Sequence, residues 1–141
     1  MIKSNPRLMS VWYARNAALT ALLSLLFTGV ALASQPPVPV PQVDAGVGPC
    51  TADFTVSQNT NQQIYNADIS VKIAYGFMGV KKMDLNVGTN SEGKARFVGL
   101  PEKVHNPPVV FTVRAKGLSK TVDFYPSVKC HSSYSVIMDG R

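Results

Sequence analysis

Few side chains in this 141-residue chain could do chemistry: two cysteines, Cys50 and Cys130, two histidines, His105 and His131, and eight carboxylates. Cys130 stands beside His131, and such a pair can supply a nucleophile with its base, or part of a zinc site. Neither use is complete here. One Cys-His dipeptide brings no further ligand or positioned base, and the 25 residues between His105 and His131 match no zinc spacing. Asp53, Asp68, Asp84, Glu92, Glu102, Asp123 and Asp139 are dispersed over the chain, so no glycosidase-like pair is specified. Gly-x-Ser-x-Gly elbows and phosphate-cradling glycine loops are absent. The sequence therefore implies no catalytic residue, no cofactor, no metal and no small-molecule substrate. The simplest use of Cys50 and Cys130 is a disulfide, closing a loop of about 80 residues and contributing roughly 4 kcal/mol in the chain-entropy model. The alternative keeps Cys130 as a free nucleophile or ligand.

A disulfide requires an oxidising compartment, and the N-terminus supplies an address for one. Lys3, Arg7 and Arg15 precede an uncharged apolar run from Ala17 to Ala33, which ends in the small-x-small triplet Ala31-Leu32-Ala33. Residues 1–33 read as a signal peptide cleaved after Ala33, giving a secreted or periplasmic protein. The alternative is a membrane anchor through residues 17–33. At ~1.5 Å per residue that run covers about 26 Å, short of the ~30 Å hydrocarbon core. No cysteine follows the run where a lipoprotein signal needs one.

Charge supports no nucleic-acid partner. The chain has 14 Lys and Arg against 8 Asp and Glu, and three of the basic residues belong to the leader. The remaining excess is small and unclustered, unlike the basic stripe that binds a phosphate backbone.

Residues 34–49 contain Gln35-Pro36-Pro37-Val38-Pro39-Val40-Pro41-Gln42, four prolines in eight residues. Such a run favours extended polyproline II and predicts a linker outside any sheet, with a PxxP-type ligand as the alternative. From residue 50 to residue 141 the signal changes to period-two alternation, the mark of strands with one buried face. Ala52, Phe54 and Val56 alternate with polar neighbours, as do Ile69, Val71, Ile73 and Tyr75, then Met83, Leu85 and Val87. Ala95 and Phe97 continue the pattern, followed by Val109, Phe111 and Val113, then Val122 and Phe124, then Tyr134, Val136 and Met138. Polar or glycine turns separate these runs at Gln58–Gln62, Asn90–Gly93 and Lys116–Ser119. The expectation is an all-β, antiparallel, seven-stranded two-sheet sandwich of immunoglobulin-like size. A five-stranded or partly open barrel is the alternative.

Two segments carry a family resemblance: Gln63-Ile64-Tyr65-Asn66-Ala67-Asp68-Ile69-Ser70-Val71 and Gly88-Thr89-Asn90-Ser91-Glu92-Gly93-Lys94-Ala95-Arg96-Phe97-Val98-Gly99-Leu100-Pro101. Both resemble the carboxypeptidase regulatory-like domain family, over about residues 52–125. The resemblance implies a prealbumin-like (transthyretin-like) seven-stranded sandwich and a non-catalytic accessory role in binding, spacing or structure. Residues 102–108 depart from the family's usual Pro-Pro-Gly-x-Tyr continuation. The hydroxyisourate hydrolases of the same fold rely on a C-terminal Tyr-Arg-Gly-Ser motif, whereas this chain ends Met138-Asp139-Gly140-Arg141. In the second segment Gly93 supplies hairpin backbone, Phe97 an inward aromatic, and Gly99-Leu100-Pro101 an apolar plug at the rim.

Two surfaces are candidates for contact with an envelope protein or glycan. Gly76-Phe77-Met78-Gly79-Val80 interrupts the alternation with apolar residues between glycines, giving either an exposed contact loop at Phe77 and Met78 or a bend whose Phe77 caps the core. Lys94 and Arg96 share the outward face of one strand, Arg114 and Lys116 that of another. They offer a basic patch for an anionic glycan or lipid head group, or else an ordinary solvated face. A small hydrolase or metal-dependent enzyme with a loop-built site is the remaining functional alternative. The compartment reading is checked by intact mass: the exported protein should start at Ser34, and a full-length product in the membrane fraction would refute cleavage.

Overall fold

A computed structural model describes residues 34–59 and 62–139, so the expected leader, residues 1–33, lies outside the described residues. The described residues from Pro37 onward form one compact unit. Eight strands build it: β1 (Gln42–Asp44), β2 (Cys50–Ser57), β3 (Asp68–Tyr75), β4 (Lys81–Gly88), β5 (Lys94–Leu100), β6 (Val109–Ala115), β7 (Leu118–Phe124) and β8 (His131–Ile137). They form two four-stranded sheets packed as a sandwich, one ordered β1-β5-β2-β8 and the other β4-β3-β6-β7. The chain is all-β apart from one 3-10 turn at Phe77–Gly79.

Alternation decides which side chains enter the core. Ile69, Val71 and Ile73 of β3 are buried while Ser70 and Lys72 face away, and Val109, Phe111 and Val113 of β6 repeat the pattern. β-branched and aromatic residues suit such half-buried pleats. Phe54 lies 5.8 Å from Phe97, and both rings lie 4.9 Å from Phe111 across the gap between the sheets. Phe124 and Tyr134 extend the cluster, at 6.0 Å from Phe111 and 5.2 Å from Phe54.

Two features differ from the expectation. The first sheet is mixed, because β1 runs parallel to β5 and β8 runs parallel to β2, whereas the second is antiparallel throughout as expected. Alternation assigns faces and says nothing about neighbours, and β8 reaches β2 by crossing over from the other sheet. The second difference concerns residues 42–44, expected in the linker, which form strand β1. Arg96 donates its backbone N–H to the carbonyl of Pro41, Ala45 donates to Val98, and Val47 and Gly48 both donate to Gly99. An edge strand pairs on one side only, so prolines upstream of Gln42 do not prevent the ladder. Gly99, at φ 67°, makes room for this edge: a Cβ there would sit 2.1 Å from the Asp44 carboxylate. Gly93, at φ 70°, turns the chain from one sheet to the other and does not close a hairpin. Leu100 and Pro101 are buried at the rim, as expected of the apolar plug.

The expected disulfide is present. Cys50 opens β2 and Cys130 immediately precedes the neighbouring β8, with Cα atoms 4.6 Å apart and 80 residues of separation. Replacing both cysteines with alanine should lower stability by roughly 4 kcal/mol, read from the urea midpoint; an unchanged midpoint would mean that the cross-link contributes nothing.

Candidate contact surface

Strand directions sort the loops onto two ends of the sandwich. At one end β2, β4, β6 and β8 begin and β3, β5 and β7 finish, as the pairs Cys50 with Leu100, Tyr75 with Lys81, and Val109 with Phe124 require. A bridge between Tyr75 and Val104 ties the connection from β5 to β6 to the end of β3 at the same end. It carries the loops at residues 76–80, 101–108 and 125–130. The other end carries the turn at residues 89–93, the turn at Lys116-Gly117, and the approach of the N-terminal segment, where the Asn90 amide donates to the Pro39 carbonyl at 3.0 Å.

The first end is rich in uncovered apolar side chains. Phe77 is 87% exposed, Met78 70% and Val80 78%, so Phe77 does not fold back over the core. Val128, on the loop from β7 to β8, is 83% exposed. The loop from β3 to β4 is an unusual piece of backbone. Gly76, Met78 and Gly79 all have positive φ, at 78°, 54° and 68°, and Met78 adopts this region without a glycine's freedom. Gly79 is itself buried beneath His105: a Cβ on Gly79 would lie 2.6 Å from the His105 ring. His105 in turn donates its backbone N–H to Ala74 at 3.1 Å. A second loop thus supports the first, and both apolar tips are held in solvent.

The other sequence-derived residues do not converge. Lys94 and Arg96 lie on the outer face of β5, and Arg114 lies on the outer face of β6 in the opposite sheet. Lys116 belongs to the β6–β7 turn and donates to Gln58 at 2.8 Å. Lys94 pairs with Glu92 at 2.9 Å, and Arg96 with Asp53, its partner across β2. The bond from Arg96 to the Asp53 carboxylate holds its guanidinium pKa above the usual value. These four residues therefore form no single basic patch, since one strand's sequence cannot reveal which sheet the next strand joins. Arg114 borders a shallow trough of about 540 Å³ with Lys72, Asp84 and Thr112.

His131 lies next to Cys130, whose sulfur is committed to the disulfide, and its Nδ1 is 2.9 Å from the Thr51 hydroxyl. A hydroxyl beside an imidazole can act as a nucleophile with its base, although this pair lies open to water at the start of β2 and β8. Among the described residues no three His, Cys, Asp or Glu side chains gather around a common point that would suit a metal. Among those residues no helix is long and apolar enough to cross a membrane.

Several polar residues that sequence reasoning passed over prove to be structural. The buried Thr89 hydroxyl accepts from the Ala67 N–H at 2.8 Å and donates to the Ile64 carbonyl at 2.7 Å. The Asn90 side-chain oxygen accepts from the N–H groups of Glu92 and Lys94. At the C-terminus Lys120 donates to Asp139 at 2.6 Å and lowers that carboxyl's pKa. This stabilisation is present above the unfolded carboxylate range and is lost as pH falls through the lowered value.

Comparison with known protein families finds no matching family model, and no curated protein matches the chain. What the residues define is a disulfide-closed β-sandwich with large apolar side chains exposed at one end. Gly79→Ala tests the loop's support, combining a disfavoured φ with a clash against His105. It should cost about 1–3 kcal/mol in a urea melt and speed proteolysis within residues 76–80. Gly117→Ala, equally left-handed but with nothing within 4 Å, should cost less.

Proposed function

We propose that this chain is an exported, non-catalytic accessory module, secreted or periplasmic, that works by contact through the end bearing Phe77 and Met78. The observation that carries this reading is the loop at residues 76–80, whose left-handed backbone and His105 support keep two large apolar side chains in water. Uncovered apolar surface held rigidly is an ordinary basis for recognition, since little conformational freedom remains to be lost on binding.

The export reading draws support from the leader-like residues 1–33 and from the Cys50–Cys130 disulfide, which suits an oxidising compartment. The resemblance to carboxypeptidase regulatory-like domains, and with it a prealbumin-like or immunoglobulin-like class of sandwich, draws support from β2–β8, which supply seven strands in two sheets. The buried Phe97 and the Leu100-Pro101 plug suit the same reading. An envelope protein or glycan is the partner the sequence suggests. A second reading, a small secreted hydrolase, draws on the contact between Thr51 and His131 and requires that His131→Ala abolish an activity.

A photoreactive residue replacing Phe77 tests the contact in the native envelope. It should yield an adduct of defined mass that weakens when Met78 and Val80 are changed to serine. The same group replacing the exposed Thr121 on β7 should not yield that adduct, and equal adducts from both positions would refute a specific contact end.

A further inference from the structure

We propose that the end carrying Phe77, Met78, Val80 and Val128 docks on an anionic lipid bilayer. This inference rests on the reading of that end as the contact surface and adds the chemistry of what it meets. The loops at residues 76–80 and 125–130 reach this end from different parts of the second sheet, one joining β3 to β4 and the other leaving β7 for β8. Their apolar side chains are tips in open solvent and not the walls of a groove. Tips of this kind need no complementary pocket in a fluid interface, into which apolar residues sink roughly 5–10 Å.

Charge identifies the kind of interface. The described residues contain ten Lys and Arg against eight Asp and Glu, a net +2. Residues 46–50, 75–81, 101–109 and 124–131, which make up this end, hold Lys81, Lys103 and Lys129 against Glu102 alone, also +2. Everything else balances at seven against seven. All three lysines are exposed, as is the adjacent Lys82. Among the described residues the three ion pairs use Glu92, Asp53 and Asp139, and none involves a lysine of this end. The net positive charge and the uncovered apolar side chains thus coincide, which is the combination that draws a protein onto anionic lipid.

The N-terminal segment meets the sandwich at the opposite end, where Asn90 holds Pro39. Phe77 and Val128 both belong to loops of the sandwich itself.

The test places an indole at the tip with Phe77→Trp, in the exported protein starting at Ser34, where the new side chain is the only tryptophan and the apolar run of residues 17–33 cannot itself carry the protein to lipid. The probe is vesicles of phosphatidylcholine with about one part in three phosphatidylglycerol, and brominated acyl chains as quenchers. The expected result is blue-shifted emission quenched by the lipid bromines. Replacing Lys81 or Lys129 with glutamine should lower partition about five-fold each, and added salt should act in the same direction. Val128→Trp should repeat the result from the other loop, which guards against misfolding of the first variant. Unquenched emission at both positions overturns the proposal, as does equal quenching on neutral vesicles. If quenching fails while the photoreactive group at position 77 still marks an envelope protein, the contact end stands and the lipid assignment falls.

Discussion

The rings of Phe54, Phe97 and Phe111 hold the two sheets face to face, and the rest of the core is built around that contact. Phe54 and Phe97 come from neighbouring strands of one sheet, Phe111 from the centre of the other, and all three are essentially inaccessible to water. Ring pairs at about 5–6 Å combine large apolar burial with a defined mutual geometry. They hold the two sheets against one another, while the strand directions decide which loops share an end. The meeting of Tyr75 with Val104, and of His105 with Gly79, depends on those directions.

The two ends are then finished by different means. At the N-terminal approach the chain is tied by polar bonds: Thr89 to Ala67 and Ile64, Asn90 to the turn and to Pro39, and Lys120 to Asp139. At the other end the Cys50–Cys130 disulfide and the packing of His105 on Gly79 do the work, and the apolar tips stay uncovered. One end is closed by satisfied hydrogen bonds, while the other is rigid yet open. That asymmetry gives the molecule a direction.

Much of the fold was legible in the sequence because period-two alternation is a local signal. Every run read from alternation, from Ala52 onward, falls on one of β2–β8, with Met138 one residue past the end of β8. The disulfide was legible from the count of two cysteines together with the expectation of export. Strand β1 was not, because prolines dominate its neighbourhood, although Val43, Ala45 and Val47 already alternated there and prove partly buried. The parallel pairings were also hidden, since faces can be read along one strand and neighbours cannot. The same limit separated Arg96 from Arg114, which share a sign and a pattern but sit on opposite sheets. The exposed loop was legible as an interruption flanked by glycines, whereas its support by His105, 26 residues beyond Gly79, has no local signature.

The strap formed by β1 has a mechanical consequence. Tension applied along the N-terminal segment reaches the sandwich at Pro39, beside Asn90, and loads the bonds from Arg96, Ala45, Val47 and Gly48 before it reaches the body of the fold. Giving way there frees residues 39–49, about 35 Å of chain at full extension. The load then arrives at Cys50, which is covalently joined to Cys130. The strap is a yielding link in series with an unyielding one, so a pull from the N-terminal side would lengthen the connection while the core stays shut.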